Sequence, residues 1–109
     1  MENDTLLSGL DLLGSSLEGD LKHDTITRTI YSTDASVYRE VPLAVAWPRN
    51  ESDIRKIVAF ALREKIALTM RAAGTSLAGQ VVSSGIIVDI SRYMKSILEI
   101  NEEEMWVRV

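Results

Sequence analysis

Residues 43–70 limit the possible folds of this 109-residue chain more than any other segment. They begin with a short apolar run at 43–47, closed by a proline, which is typical of a buried strand. A helix pattern with a one-sided apolar face follows at 51–65, and a second apolar run lies at 66–70. A strand–helix–strand unit of this length implies a right-handed crossover between parallel strands. The segment therefore predicts an α/β fold.

The helix pattern has a recognisable start. Asn50 is a suitable N-cap, and Glu51 and Asp53 place negative charge in the first turn, where it is favoured. The apolar face is expected to contain Ile54, Ile57, Val58, Ala61 and Leu62, which recur at the spacing of one helix face. This face is expected to pack across the sheet.

Other segments complete the predicted architecture. Residues 3–17 predict a helix, since leucines recur at spacings of four, three and four. Residues 86–90 are strongly β-branched and predict a third strand in the same sheet. Residues 97–100 and 105–109 predict two more strands that are joined by a polar turn, and a short strand is expected at 27–30.

Composition and charge argue against several classes of function. The net charge is −4 and no Lys/Arg run occurs, so nucleic acid is not an expected partner. Without cysteine there is no thiolate metal site, and His23, the only histidine, is interpreted as a surface residue rather than a metal ligand. No apolar run approaches the ~20 residues that cross a bilayer, and no secretory signal is recognisable. The expected location is the cytoplasm.

The candidate chemistry lies in the loop that follows the second predicted strand. Residues 71–80 read Arg-Ala-Ala-Gly-Thr-Ser-Leu-Ala-Gly-Gln, and most of these side chains are small. Small residues let a ligand approach the backbone, glycine permits positive φ, and successive amides form a nest for an anion. Thr75 and Ser76 add hydroxyl donors, and Arg71 adds a positive charge directed to a phosphate or to a structural partner. The pattern favours diphosphate binding.

Two common phosphate loops do not fit this segment. A Walker loop requires a lysine and a hydroxyl residue after its second glycine, but Gln80 and Val81 stand there. A dinucleotide fingerprint requires three glycines that open a helix, whereas only Gly74 and Gly79 are present and a strand follows. An ordinary connecting loop remains the alternative, and glycine content alone does not decide between the two interpretations.

Short motifs in a fixed order show a resemblance to a known family. They are Asp-Ala-Ser-x-Tyr-Arg at 34–39, Pro42, Ala-Trp-Pro at 46–48, the loop at 71–79 and the strand-like segment 85–92. Together they resemble the FAD-linked oxidases and, more narrowly, the glycolate oxidase and D-lactate dehydrogenase group, whose flavin domain is of the PCMH type. The resemblance extends from about residue 33 to the end of the chain without a gap.

The resemblance implies FAD as the cofactor, with its diphosphate wrapped by the loop. The residues expected to bind it are Pro48, Arg71, Ala72, Ala73, Gly74, Thr75, Ser76, Leu77, Gly79 and Gln80. In relatives with covalently bound flavin a histidine occupies the position of Thr75, so noncovalent FAD is implied here. The family binds its substrate in a cap domain, so no catalytic residue is expected in this chain.

The expected organisation is a helical extension at residues 1–36, followed at 37–109 by the first subdomain of a PCMH-type FAD domain. This subdomain is expected to have a small mixed or parallel sheet with flanking helices. The strand-like alternation at 105–109 predicts that the chain is part of a longer protein. The expected function is to bind FAD in a dehydrogenase of a 2-hydroxy acid, of the D-lactate or glycolate type, with the substrate held by the cap domain. Exposed edges of such a piece predict self-association. The alternative is a small α/β ligand-binding or regulatory module without redox activity.

Overall fold

The computed structural model describes residues 2–109, with side chains from residue 4 onward. Its elements are α1 (Glu2–Ser16), β1 (Asp20–Lys22), α2 (Thr25–Ile30), β2 (Ala44–Trp47), α3 (Glu51–Glu64), β3 (Leu68–Arg71), β4 (Ile86–Asp89), β5 (Glu99–Asn101) and β6 (Trp106–Arg108). A four-stranded sheet has the order β1-β2-β4-β3, and β5 and β6 form a separate hairpin. The predicted α/β class with a small mixed sheet is confirmed. No helix within residues 2–109 has the length and apolar character needed to cross a bilayer.

The three strands expected to share a sheet do so. β2 and β3 flank β4, and both pair with it in parallel, whereas β1 pairs with β2 in the antiparallel sense. The row Val45, Ile87 and Thr69 shows the common register. β2 and β4 are buried along their whole length, which explains why their sequences are continuous apolar runs. β3 is the outermost strand next to β4 and is only partly buried.

Helix α3 packs against the sheet with a narrower face than the sequence predicts. Its N-cap is Asn50, as expected, and it ends at Lys65 in the left-handed conformation with φ 57°. The buried core consists of Leu10, Leu13, Leu17, Ala44, Ala46, Ile57, Phe60, Ile86 and Val88. The apolar-face prediction is wrong at Leu62, which is 79% exposed, and at Val58, which is about half exposed. The buried face is instead centred on Ile57 and Phe60.

Two elements near the N-terminus differ from expectation. Residues 27–30, predicted as a strand, belong to helix α2, so that prediction is wrong. The Asp24 carboxylate caps this helix by accepting from the Thr27 amide at 3.0 Å and from its hydroxyl at 2.7 Å. The cap outweighs the β-branched composition of the segment. Strand β1 was not predicted, because three residues are too few to show an alternation.

The turn between α1 and β1 is fixed by a buried carboxylate. Asp53 is fully buried and accepts the amides of Glu18 and Gly19 at 2.9 Å and of Arg49 at 3.0 Å. Burial acts to raise the pKa of Asp53, but the three amides outweigh it and hold the pKa below its usual value. Within residues 2–36, helix α1 contributes to the same core and strand β1 to the same sheet, while the domain boundary at residue 36 stays a prediction.

Candidate cofactor-binding site

The candidate loop leaves the sheet at the carboxyl end of β3. Because β2, β4 and β3 are parallel, Trp47, Asp89 and Arg71 lie together at one edge of the sheet. Residues 72–85 connect this edge with the amino end of β4. Ligands of open α/β sheets bind outside the carboxyl ends of the strands. The fold therefore places the loop where a cofactor is expected.

Both loop glycines adopt the conformation that an anion nest uses. Gly74 has φ 69° and Gly79 has φ 71°, which is the left-handed region that favours glycine. The Ser76 hydroxyl accepts the amides of Ala78 and Gln80 at 3.2 Å each and donates to the Gln80 Oε1 at 2.9 Å. Ser76, expected as a donor to an anion, therefore closes the second half of the loop into a compact turn.

The loop also presents backbone donors that the protein does not use. Among residues 4–109, the amides of Thr75, Leu77 and Gly79 donate to no protein acceptor. A diphosphate offers acceptor oxygens and carries negative charge, so it can satisfy such donors. The small side chains leave the backbone accessible. The loop therefore fits the diphosphate of a dinucleotide cofactor.

Arg71 is directed toward the protein. Its Nη1 donates to the Thr33 carbonyl oxygen at 2.8 Å, and its guanidinium carbon lies 5.0 Å from the centre of the Tyr31 ring. A Cβ placed on Gly74 would lie 2.6 Å from the Arg71 Nη2. Of the two partners that the sequence left open, phosphate or protein, the structure shows the protein one.

The remaining predicted residues differ in how exposed they are. Residues 72–80 form one continuous, largely exposed loop next to Arg71. Pro48 follows β2 at the same edge of the sheet, but its side chain is fully buried. Its role as a flavin contact stays a prediction. His23 is partly exposed and pairs with the Asp11 carboxylate at 2.7 Å, and the described residues contain no group of ligands that could hold a metal ion.

A polar network that the sequence does not reveal lies at this edge of the sheet. The Tyr31 hydroxyl donates to the Asp89 Oδ2 at 2.6 Å and accepts from the Trp47 indole nitrogen at 3.0 Å. Asp89 also accepts the amide and the hydroxyl of Ser91. Burial acts to raise the pKa of Asp89, but the Ser91 and Tyr31 hydroxyl groups help to hold it below its usual value. No sequence spacing could reveal the network, since Tyr31 and Asp89 are 58 positions apart.

Comparison with known proteins identifies the family. The sequence model of the family described as "FAD binding domain" matches residues 42–109. D-2-hydroxyglutarate dehydrogenase from Pseudomonas putida is 40% identical over 101 residues, which are 90% of this chain and 10% of that protein. The Escherichia coli dehydrogenase of the same name is 44% identical over 94 residues, 84% of this chain and 9% of that protein. Glycolate oxidase subunit GlcD of Bacillus subtilis is 34% identical over 84 residues, 75% of this chain and 18% of that protein.

Solved structures share the fold. An alkyldihydroxyacetonephosphate synthase matches 93% of this chain and 23% of its own at a TM-score of 0.78 and 16% identity. The 4-ethylphenol oxidase from Gulosibacter chungangensis matches 92% and 21% at a TM-score of 0.71 and 20% identity. The chain spans about a tenth of the length of the dehydrogenases that it matches in sequence. Through the match at residues 42–109, the chain belongs to the FAD binding domain family of the FAD-linked oxidases.

Proposed function

We propose that this chain supplies the diphosphate-binding part of an FAD domain in a dehydrogenase of 2-hydroxy acids. The observation that carries the proposal is the loop at the carboxyl edge of the parallel strands, with two left-handed glycines and unused amides, in a member of the FAD binding domain family. The residues proposed to contact FAD or to shape the loop that binds it are Pro48, Arg71, Ala72, Ala73, Gly74, Thr75, Ser76, Leu77, Gly79 and Gln80.

The proposed roles within the loop follow from its geometry. The free amides of Thr75, Leu77 and Gly79 donate to the diphosphate oxygens, and the Thr75 hydroxyl is a further donor. Ser76 keeps the turn closed by accepting two loop amides. When bound, FAD supplies the electron-accepting chemistry, while the protein binds and orients it. The cofactor is held noncovalently, because neither histidine nor cysteine occurs in the loop.

The substrate class is proposed from the relatives. Two proteins named D-2-hydroxyglutarate dehydrogenase are 40% and 44% identical to the chain, whereas the glycolate oxidase subunit is 34% identical. A D-lactate dehydrogenase [cytochrome] from Kluyveromyces lactis is 26% identical. This order favours D-2-hydroxyglutarate over glycolate and D-lactate within the class. The substrate is proposed to bind through a cap domain of the whole protein.

The test uses the full-length protein, purified and scanned for flavin absorbance. Anaerobic addition of D-2-hydroxyglutarate should bleach the flavin bands, more efficiently than D-lactate or glycolate do. L-2-hydroxyglutarate is the matched control and should leave them unchanged. A protein that binds no FAD would refute the proposed function and support a module without redox activity. Bound flavin that none of the D-2-hydroxy acids or glycolate reduces would refute the substrate class alone.

Two further properties are proposed for the chain and its protein. The lack of cysteine suits a reducing compartment and supports a cytoplasmic location, which cell fractionation checks.

The β5–β6 hairpin pairs Ile100 with Val107, and these side chains are 61% and 54% exposed. Such an apolar face supports self-association of the isolated chain. Sedimentation of the isolated chain should show oligomers, and a monomer at high concentration would contradict the proposal.

A further inference from the structure

We propose that residues 31–38, the brace, support the cofactor loop. Arg71 is the positioning residue that connects the brace to Gly74, rather than a ligand of the diphosphate. The inference rests on the proposed function, because it concerns the same loop. Its contacts exist within the protein itself, so they can be tested without the cofactor.

The guanidinium group of Arg71 is held by three neighbours. It donates to the Thr33 carbonyl oxygen at 2.8 Å and lies over the Tyr31 ring at 5.0 Å. Its third neighbour is Gly74, whose missing Cβ would lie 2.6 Å from Nη2 and 2.9 Å from Cζ. A planar group can stack and donate from its edge at the same time, which an ammonium group cannot do. The contacts at Arg71 therefore use the properties that distinguish arginine from lysine.

Both left-handed glycines of the loop touch the brace. The Gly74 carbonyl oxygen accepts the Ala35 amide at 3.1 Å. A Cβ on Gly79 would lie 2.8 Å from the Tyr38 Cδ2, so that glycine packs directly on the Tyr38 ring. The two residues that give the loop its shape are thus positioned by one segment. We infer that the brace selects the loop conformation.

The brace is in turn anchored to the sheet. The Tyr31 hydroxyl bonds to Asp89, at the end of β4, and to Trp47, at the end of β2. Ser32 is buried, and its carbonyl oxygen accepts the Glu40 amide at 3.0 Å. This hydrogen bond joins the two ends of the stretch 32–40. A continuous series of contacts therefore leads from the carboxyl edge of the sheet through Tyr31 and Arg71 to Gly74.

Asp34 adds a negative charge to the brace. Its Oδ1 accepts the amide and the hydroxyl of Ser36, and its Oδ2 is buried without a hydrogen-bond partner in the described part of the chain. The Ser36 hydroxyl is the main cause that lowers the pKa of Asp34, and the charge of Arg71 contributes. The brace thus carries a carboxylate that interacts favourably with the charge of Arg71.

The first test is hydrogen exchange in the full-length apoprotein, read on peptides that cover residues 33–38 and 72–80. Arg71→Lys keeps the charge but loses the planar contacts. Exchange of the hydrogen-bonded amides in both peptides, which include those of Ala35, Ala78 and Gln80, should therefore rise about tenfold, the effect of losing one hydrogen bond to a charged group. Unchanged exchange would overturn the brace whether or not the protein binds FAD. A wild-type protein that binds no FAD would instead refute the proposed function alone.

The second test is the FAD dissociation constant of the full-length protein. Arg71→Lys and Tyr31→Phe should each raise it about tenfold, and the double variant should raise it by less than the product, because both act through one series of contacts. A diphosphate ligand at position 71 would give a different pattern, with lysine largely rescuing binding and Tyr31→Phe having no effect, and that pattern would overturn the proposal.

The matched control is Ile57→Val, a change in the buried core that lowers the thermal midpoint without touching the brace. It should leave both the loop exchange and the FAD dissociation constant unchanged. An equal rise in the dissociation constant for Ile57→Val would show that general destabilisation explains the effects, and would also overturn the proposal.

Discussion

Replacing Gly74 by valine should abolish FAD retention by the full-length protein. Gly74 lies at φ 69°, and a β-branched residue is strongly disfavoured in that region. Its new Cβ would also lie 2.6 Å from the Arg71 Nη2. Because Arg71 is held by the Thr33 carbonyl oxygen, it can move away only by losing that hydrogen bond.

The magnitude follows from these two costs. A side chain in the left-handed region costs about 1–2 kcal/mol. Loss of the bond between Arg71 and Thr33 adds about 1–3 kcal/mol. The loop can relax in the apoprotein. The two costs, about 2–5 kcal/mol together, therefore raise the free energy of the conformation that binds FAD. FAD affinity should therefore fall by roughly 30-fold to 5,000-fold.

The assay is a titration of the full-length apoprotein with FAD, followed by quenching of flavin fluorescence. The control variant is Gly14→Ala, because Gly14 is in helix α1 and its added Cβ would meet Leu21 at an ordinary 3.4 Å. That control should bind FAD as the wild type does. A folded Gly74→Val protein with wild-type FAD affinity would refute the assignment of the loop.

Three further predictions concern attachment, stability and completeness. FAD should be released by acid precipitation, because the loop carries Thr75 where a covalent link would require histidine; flavin retained on the denatured polypeptide would contradict this. Asp53→Asn should lower stability at pH 7 by about 1–3 kcal/mol, since three backbone amides lose a charged acceptor that is buried. The folded pKa of Asp53 is lowered, so its contribution is complete above the unfolded pKa of about 4 and is lost as the pH falls through the lower folded value. The difference in thermal midpoint between Asp53→Asn and wild type should therefore shrink at low pH, and a constant difference would refute the role. The isolated 109-residue chain should show no turnover with a dye acceptor and bind FAD weakly or not at all, because it builds only the diphosphate side of a pocket; micromolar binding would contradict this.

Local patterns predicted the central elements of the fold well, because each has a strong period or a continuous apolar run. Strands β2, β3 and β4 and helix α3 were recognised for this reason. Helix α2 was misread, because its residues are largely β-branched and the deciding contact is the Asp24 cap. Leu62 was assigned to the core on spacing alone, although burial depends on which other elements surround the helix.

The sequence predicted the position and backbone conformation of the loop, but not the contacts that hold the loop in place. Glycine content and the family resemblance located the loop, and both glycines are left-handed as that interpretation requires. The brace could not be predicted, because Tyr31 meets Asp89 and Arg71 only after the chain has folded. Likewise, the sequence left open whether Arg71 faces a phosphate or the protein, since an arginine can donate to either kind of acceptor.

The role of the loop is tested most directly by an experimental structure of the full-length protein with FAD bound. In that structure, diphosphate oxygens should lie about 2.7–3.2 Å from backbone amides of residues 74–79. The Arg71 guanidinium should remain on the Thr33 carbonyl oxygen. A diphosphate bound elsewhere, with these loop amides not in contact with the cofactor, would show that the loop is not the diphosphate site.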